Sequence, residues 1–178
     1  MGLLERAAGV RPTSGAGGGS REPQVRGAFW PPMPILGVDQ VSVAVADLDD
    51  ATRIYEGILG LKAAHDETVA DQGVKTRFFP VAKSGSVVEA LLALGPDTPV
   101  GKFLAKRGPG VHHIAFRVDD LEAELARLQR QGVRLIDEKP RLGAEGKRIA
   151  FIHPKETGGV LIELCEAGRH PVPRGRAT

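Results

Sequence analysis

Four polar side chains stand at matched positions of an internal repeat. LGVDQVSVAVADLDD at 36–50 aligns without a gap with PGVHHIAFRVDDLEA at 109–123, which places Gln40 opposite His113. About fifty residues later each phrase is followed by a second match, VVEALL around Glu89 and LIELCE around Glu163. Amide, imidazole and carboxylate groups are all ligands of divalent cations. Because each half offers one early polar side chain and one late carboxylate, the spacing predicts a single metal site shared between the halves.

The β-strand period decides whether these side chains can meet. Alternate residues of a strand face the same side, so His113 and Ala115 share one face of HHIAFRV. Gln40 and Ser42 occupy the equivalent face of the first repeat. The same alternation predicts that His112 points to the other face, where it would pack, or contact a ligand residue without binding the metal itself.

The two glutamates lie in strands whose other residues are apolar. Glu89 stands between Val88 and Ala90, and Glu163 has equally apolar neighbours. Burying a carboxylate is costly unless it is paired, protonated or bound to a cation. The alternative interpretation puts both acids on half-exposed strands, with His113 as an ordinary core histidine. That alternative gives no reason for the matched spacing.

The elements that must position these residues are predicted as β-α-β-β-β in each half. VDQVSVAV alternates like a strand, and LDDATRIYEGILG has helical spacing between Asp47 and Gly60. Short strands are expected near Leu61–His65 and at VRLID, 133–137. Neither half can cover its own sheet, so we predict an α+β fold of two paired βαβββ modules, with curved mixed sheets around a metal-binding cleft. The predicted limits are 36–95 for module one, 97–108 for a linking helix and 109–167 for module two, within a domain at 35–168.

Composition excludes several classes of function. A net charge of +2 gives no general affinity for nucleic acid or membranes, and no apolar run approaches the length of a membrane span. The single cysteine, Cys165, excludes an internal disulfide. We therefore expect a soluble, cytoplasmic protein. Residues 1–34 are predicted to be a disordered extension and 169–178 a tail. Alternatively the extension is a mitochondrial presequence, which would place the protein in the matrix, or Met33 is the true start.

The motifs resemble those of the vicinal oxygen chelate superfamily, the glyoxalase-like metalloenzymes, and within it the methylmalonyl-CoA epimerases. The resemblance covers roughly residues 36–167. It rests on VSVAVADLDDATRIYEGILGL, DQGV at 71–74, LGPDTPVGKFLAKRGPGVHHIAFRVDD and RLGAEGKRIAFIHPKETGGVLIEL. The LGPDTPVGKFL and HPK-GGVLIEL segments are more specific to the epimerases than to the superfamily.

The resemblance implies a reaction and roles for particular residues. It implies interconversion of (R)- and (S)-methylmalonyl-CoA by abstraction of the α-proton through a metal-stabilised enediolate. Asp71 and Glu163 would be the acid/base pair, with Glu163 also at or next to the metal. Lys147, Arg148 and Lys155 are candidates for the phosphates of the acyl-CoA thioester, although an ordinary solvated loop explains them equally well. A homodimer is also implied.

Two positions depart from the family pattern. The family has histidine where this chain has Gln40, and glutamate where it has Asp71. A glutamine ligates through its carbonyl oxygen, so the site is expected to favour Co²⁺, Mn²⁺ or Mg²⁺ over Zn²⁺. Aspartate is one methylene shorter, which matters because a base must reach its proton. Two alternatives stay open: a glyoxalase-like lyase or isomerase acting on another oxygen-chelating substrate, and a non-catalytic metabolite-binding protein of the same fold.

Overall fold

The computed structural model describes residues 35–166, so the predictions for 1–34 and 169–178 lie outside the described residues. The strands are β1 (Gly37–Val45), β2 (Asp66–Val69), β3 (Val74–Val81), β4 (Ser86–Ala93), β5 (Gly110–Val118), β6 (Arg141–Leu142), β7 (Arg148–Ile152) and β8 (Leu161–Glu166). The helices are α1 (Leu48–Thr52), α2 (Pro99–Arg107) and α3 (Leu121–Arg130). Within this part of the chain no helix is long and apolar enough to cross a bilayer.

All eight strands belong to one mixed sheet in the order β2-β3-β4-β1-β5-β8-β7-β6. Within each half the first and last strands are parallel, β1 with β4 and β5 with β8. The halves join edge to edge through the antiparallel pairing of β1 with β5. The predicted fold of paired modules in a curled mixed sheet is confirmed, and the two sheets prove to be one.

Two of the helices, α1 and α3, cover one face of the sheet. Asp47 caps α1 by accepting a hydrogen bond from the backbone N–H of Asp49, and Asp120 caps α3 in the same way. Each helix then buries its apolar stripe against its own module. The two resulting clusters contain Leu48, Ala51, Phe79 and Ala90 in module one, and Leu121, Leu125, Leu128 and Leu164 in module two. The opposite, concave face carries a cavity, and α2 packs beside that cavity through Val100.

A contact between the two ends of the chain's sheet helps enclose this concave face. The Glu145 backbone N–H, in the turn before β7, donates to the Glu67 carboxylate on β2 over 2.9 Å. The Glu145 carboxylate also lies 3.7 Å from the His65 imidazole. Because β2 and the β6–β7 turn belong to different modules, these contacts curl the sheet across the module boundary.

Three local predictions differ from the structure. The first helix is α-helical only over Leu48–Thr52 and continues as a π-helical segment, Arg53–Ile58. The segment 61–65 is not a strand, since β2 begins at Asp66. The segment 133–137 forms an isolated bridge instead of a strand, because the Asp137 carboxylate accepts the Phe151 N–H and interrupts the backbone ladder.

Candidate metal and catalytic site

The register of the central strands brings the four predicted ligands onto one face in two neighbouring rows. The rows are Glu89–Ser42–His113 across β4, β1 and β5, and Gln40–Ala115–Glu163 across β1, β5 and β8. Each row has a small, fully buried residue in its centre, and these two residues leave room between the four larger side chains. All four predicted ligands are at most 6% exposed. The structure therefore brings together the set that the repeat spacing predicts.

The ligands of module one are hydrogen-bonded to each other. Gln40 Nε2 donates to Glu89 Oε2 over 3.0 Å, and Ser42 Oγ donates to the same oxygen over 2.5 Å. Burial raises the pKa of the Glu89 carboxyl to about 7, against the lowering influence of His113 and the Ser42 hydrogen bond. Glu89 is therefore poised between its neutral and charged forms near physiological pH.

The ligands of module two are close together without a hydrogen bond. His113 Nε2 lies 3.3 Å from Glu163 Oε2. Even so, His113 Nε2 is fully buried and has no hydrogen-bond partner among residues 35–166. The Phe151 ring holds the other flank of the imidazole edge-on, with centroids 5.2 Å apart. An unsatisfied buried nitrogen is costly, so this arrangement favours a further partner.

Two of these donors, His113 and Glu163, have the spacing of ligands on one divalent cation. Ligand atoms bound at about 2.1 Å and separated by 90–109° lie roughly 3.0–3.4 Å apart. The Nε2–Oε2 distance of 3.3 Å between His113 and Glu163 falls in that range. Gln40 would need its amide turned by half a rotation, because its nitrogen now faces Glu89 and only its oxygen can bind a cation.

His112 lies in a β-bulge, and its predicted direction is therefore wrong. β1 and β5 pair Ser42 with His113 and then Val43 with Val111, so His112 is the extra residue. A bulge interrupts strict alternation. As a result both histidines border the same cavity, with their Nδ1 atoms 2.9 Å apart. Burial, and the charge of His113, lower the pKa of His112 to about 4, so it is neutral at physiological pH.

A cavity of about 330 Å³ opens over the four ligands. Asp71 lies in its wall, in the 3-10 turn Ala70–Gln72 between β2 and β3. Gly73 ends that turn at φ +66, and a Cβ there would come within 2.4 Å of the Thr98 side chain, so the turn is held close to the start of α2. The rest of the wall is mostly apolar. Low polarity of this kind strengthens electrostatic interactions inside the cavity.

Thr76 on β3 is a lining residue that sequence reasoning missed. Its hydroxyl is buried and makes no hydrogen bond within the described part of the chain. The residue is 1% exposed and borders the cavity beside Leu91, its partner on β4. Strand alternation from Val74 was the available signal, since Val74 and Thr76 share a face.

A second cavity, of about 420 Å³, adjoins the first. The two share Pro99, His112, Ile136 and Leu161 in their walls. Three cations of α2 line only the second cavity: Lys102, Lys106 and Arg107. Neither lysine makes an ion pair within 35–166, while the Arg107 guanidinium lies 5.8 Å from the Phe103 ring. The spacing of four residues between Lys102 and Lys106 in KFLAKR, which places both lysines on one helical face, was the signal that sequence reasoning missed.

The three cations predicted to hold phosphates do not line either cavity. Lys147 is ion-paired with Asp39 at 2.9 Å and with Glu145 at 3.0 Å. Burial disfavours the Lys147 charge, but these two carboxylates outweigh burial and raise its pKa. Arg148 is paired with acidic side chains on α3 and β8. Lys155 is exposed and follows Pro154, which does line the second cavity.

A separate acidic cluster lies outside the cavity. Asp120, Glu122 and Glu166 bring carboxylate oxygens within 4.8 Å of one another. Arg148 forms ion pairs with Glu122 and Glu166, so part of this charge is already balanced. The cluster shares no residue with the four-ligand set.

Comparison with known proteins agrees with the fold and with the family resemblance. The model of the Glyoxalase/Bleomycin resistance protein/Dioxygenase superfamily matches residues 39–151. The mitochondrial methylmalonyl-CoA epimerase of Homo sapiens is 36% identical over 170 residues, which are 94% of this chain and 93% of the human one.

Two solved structures share both fold and sequence with the chain. The methylmalonyl-CoA epimerase of Mycobacterium tuberculosis is 45% identical, with a TM-score of 0.71 over 74% of this chain and 88% of that one. A variant of the Streptomyces coelicolor methylmalonyl-CoA epimerase in complex with 2-nitronate-propionyl-CoA is 37% identical, with a TM-score of 0.72 over 76% and 99%. Fold, motifs and relatives agree, and the chain belongs to the methylmalonyl-CoA epimerase family of isomerases, within the Glyoxalase/Bleomycin resistance protein/Dioxygenase superfamily.

Proposed function

We propose that the protein interconverts the two epimers of methylmalonyl-CoA with the help of a divalent cation. The observation that carries this proposal is the convergence of four buried donors and Asp71 on one cavity. The human and mycobacterial relatives bear the name of this enzyme, and the Streptomyces relative binds a propionyl-CoA analogue. The substrate class of the proposal is therefore an acyl-CoA thioester.

Asp71 and Glu163 are the proposed proton carriers. The α-proton of the substrate lies between a thioester and a carboxylate, so its removal gives a planar enolate. Inversion then needs one acid/base group on each side of that plane. Asp71 comes from a turn of module one and Glu163 from β8 of module two, so they reach the cavity from different halves of the fold. One removes the proton and the other returns it.

Gln40, Glu89, His113 and Glu163 are the proposed cation ligands. When bound, the cation would supply positive charge beside the substrate oxygens on which negative charge develops. Three oxygen donors and a single nitrogen favour Co²⁺, Mn²⁺ or Mg²⁺ over Zn²⁺. The unpartnered His113 Nε2 supports this assignment.

The adjoining basic cavity is the proposed position of the CoA phosphates. Lys102 and Lys106 are exposed cations without ion pairs in the described chain, whereas Lys147 and Arg148 are already paired. Lys155 stays in the proposal as a further contact at the rim, because Pro154 beside it lines this cavity. Because the two cavities adjoin, the pantetheine arm would extend from one cavity into the other.

Exchange of the α-proton of methylmalonyl-CoA in heavy water tests the reaction directly. We expect exchange and epimerisation in the presence of Mn²⁺ or Co²⁺, and loss of both after treatment with a chelator. Methylglyoxal hemithioacetal serves as the comparison substrate, because a glyoxalase-like lyase would turn it over. Absence of exchange with every divalent cation would remove the epimerase proposal.

Charge removal on α2 tests the phosphate position separately. Lys102→Ala together with Lys106→Ala is expected to raise KM about tenfold or more and to change kcat little, since both lysines lie away from the reacting carbon. Lys62→Ala is the matched control, because Lys62 is exposed and lines neither cavity. An unchanged KM would move the phosphates to another surface.

The homodimer and the cytoplasmic or matrix location stay predictions. Three exposed apolar side chains on and beside the π-helical segment, Ile54, Ile58 and Leu59, support association with a second chain. Sedimentation velocity of the wild type and of Ile58→Lys measures this association. A monomeric wild type would contradict the dimer.

A further inference from the structure

The geometry points to His112 as a positioning residue that fixes the ring nitrogen which His113 offers to a cation. This inference rests on the proposed function and deepens it. Three independent observations carry it: the β-bulge, the contact between the two rings, and the place of His112 in the wall between the two cavities.

The bulge turns His112 toward the site. In a regular strand His112 would point to the helix-covered face, opposite to His113. The pairing of Ser42 with His113 and of Val43 with Val111 leaves His112 as the extra residue. Bulges often re-aim a side chain next to an active site. Here the bulge places two imidazoles side by side.

The contact between the rings couples the position of the hydrogen on one ring to its position on the other. The Nδ1 atoms are 2.9 Å apart, so one must donate and the other accept. If His113 is to keep a lone pair on Nε2 for a cation, its hydrogen must be on Nδ1. His113 Nδ1–H then donates to His112 Nδ1, and His112 carries its own hydrogen on Nε2.

The surroundings hold both rings in this relation. Phe103 of α2 meets the His112 ring edge-on at 5.0 Å, and Phe151 meets the His113 ring edge-on at 5.2 Å. The pair of imidazoles is therefore held between aromatic rings from different elements. A metal-bound histidine usually donates its second N–H to a carboxylate, a carbonyl or water, and loss of that acceptor typically costs 10–100-fold in affinity. Here the acceptor is a second imidazole.

His112 also links the two cavities. It is among the few residues that border both, and α2, which carries Lys102 and Lys106, packs against it through Phe103. An acyl-CoA seated along α2 would press on the residue that orients His113. His112 therefore acts directly on cation binding, and on turnover only through that binding.

Replacement of the ring while its packing is kept tests the assignment. His112→Phe keeps an aromatic ring against Phe103 but removes the acceptor. We expect its dissociation constant for Mn²⁺, measured by titration calorimetry, to rise about 10–100-fold. His112→Asn, whose amide oxygen can accept, is expected to recover part of that loss. Lys62→Ala is the control, since Lys62 is exposed and lines neither cavity, and this variant should bind Mn²⁺ like the wild type.

A second readout does not depend on any cation. In the metal-free wild type, ¹⁵N chemical shifts of the imidazoles are expected to place the hydrogen of His113 on Nδ1 and that of His112 on Nε2. A hydrogen on His113 Nε2, or an unchanged Mn²⁺ affinity in His112→Phe, would overturn the inference while exchange by the wild type upheld the proposed function. A wild type that neither binds Mn²⁺ nor exchanges the α-proton would instead overturn the proposed function, and the nitrogen shifts would still decide the role of His112.

Discussion

The two modules contribute chemically different halves to one site. In module one the Gln40 amide and the Ser42 hydroxyl both donate to Glu89, so this half is hydrogen-bonded internally. In module two His113 Nε2 and a Glu163 oxygen lie 3.3 Å apart, but this buried nitrogen makes no hydrogen bond within residues 35–166. The two modules share the backbone positions of the predicted ligands, but they differ in the hydrogen bonds that these side chains make.

This difference predicts which half of the site would depend on the proposed cation. Two neutral donors offset only part of the cost of burying the Glu89 charge, and its raised pKa lets this carboxyl take a proton when nothing else is bound. The His113 nitrogen has no such substitute in the described residues. We infer that a cation relieves an unsatisfied nitrogen in module two, whereas it must displace existing hydrogen bonds in module one.

Loss of the module-two carboxylate is expected to have the largest effect. Glu163→Gln removes a negative ligand and a proposed proton carrier together. General acid–base catalysis contributes about 10²–10⁴-fold, so we expect at least about a thousandfold fall in α-proton exchange, with weaker Mn²⁺ binding. Heavy-water exchange and titration calorimetry measure the two effects. Glu156→Gln, at an exposed carboxylate outside the cavity, is the control and should change neither. Exchange that survives Glu163→Gln would remove the assigned role.

Asp71 should separate proton transfer from cation binding. Asp71→Asn removes the proposed base of module one without touching the four ligands, so we expect exchange to fall about a hundredfold or more at unchanged Mn²⁺ affinity. Asp71→Glu restores the length usual in the family and is expected to retain or raise activity. Asp97→Asn, an exposed aspartate outside the cavity wall, is the control for loss of one negative charge. A drop in Mn²⁺ affinity in Asp71→Asn would show that the two roles are coupled.

Glu89 predicts how the metal-free protein responds to pH. Its folded pKa of about 7 lies above the ordinary value of 4.5, so its contribution to stability is complete below about pH 4.5 and is lost as the pH rises through 7. The loss across that window is about 3 kcal/mol. Denaturant unfolding of chelator-treated wild type and Glu89→Gln at pH 5 and pH 8 measures it, because the variant lacks this titration. Added Mn²⁺ should restore the wild type at pH 8. Parallel curves for the two proteins would contradict the raised pKa.

The repeat made the fold and the convergence of four polar side chains on one face predictable, because a duplicated phrase states register and spacing twice. Gln40 and His113 align in the sequence, and the strands place them on one face of the sheet. The predictions that failed were those for residues where the regular strand alternation is interrupted. His112 is misassigned because a bulge is a local departure from alternation, and nothing in GVHHIAF marks the extra residue.

The phosphate candidates show a different limit of sequence reasoning. Lys147 and Arg148 directly follow a glycine-rich turn, which is typical of anion sites. The fold nevertheless places carboxylates from distant segments against both side chains. Ion pairs such as Lys147–Asp39 join residues far apart in the chain, and no local pattern indicates them. Within the described residues Lys102 and Lys106 of α2 form no ion pair, and both line a cavity.

The smallest effect is expected where module one is made to imitate module two. Gln40→His supplies the imidazole usual in the family and removes the amide that donates to Glu89. Affinity for divalent cations should rise about tenfold, with a shift of preference toward Zn²⁺, because imidazole is the softer donor. Competition titrations of Mn²⁺ against Zn²⁺ measure both changes, with Gln72→His, also in the cavity wall, as the matched control. If Gln40→His bound each cation as the wild type does, residue 40 would not be a cation ligand. Module one would then supply fewer ligands than module two, and the modules would differ in ligand number as well as in hydrogen bonding.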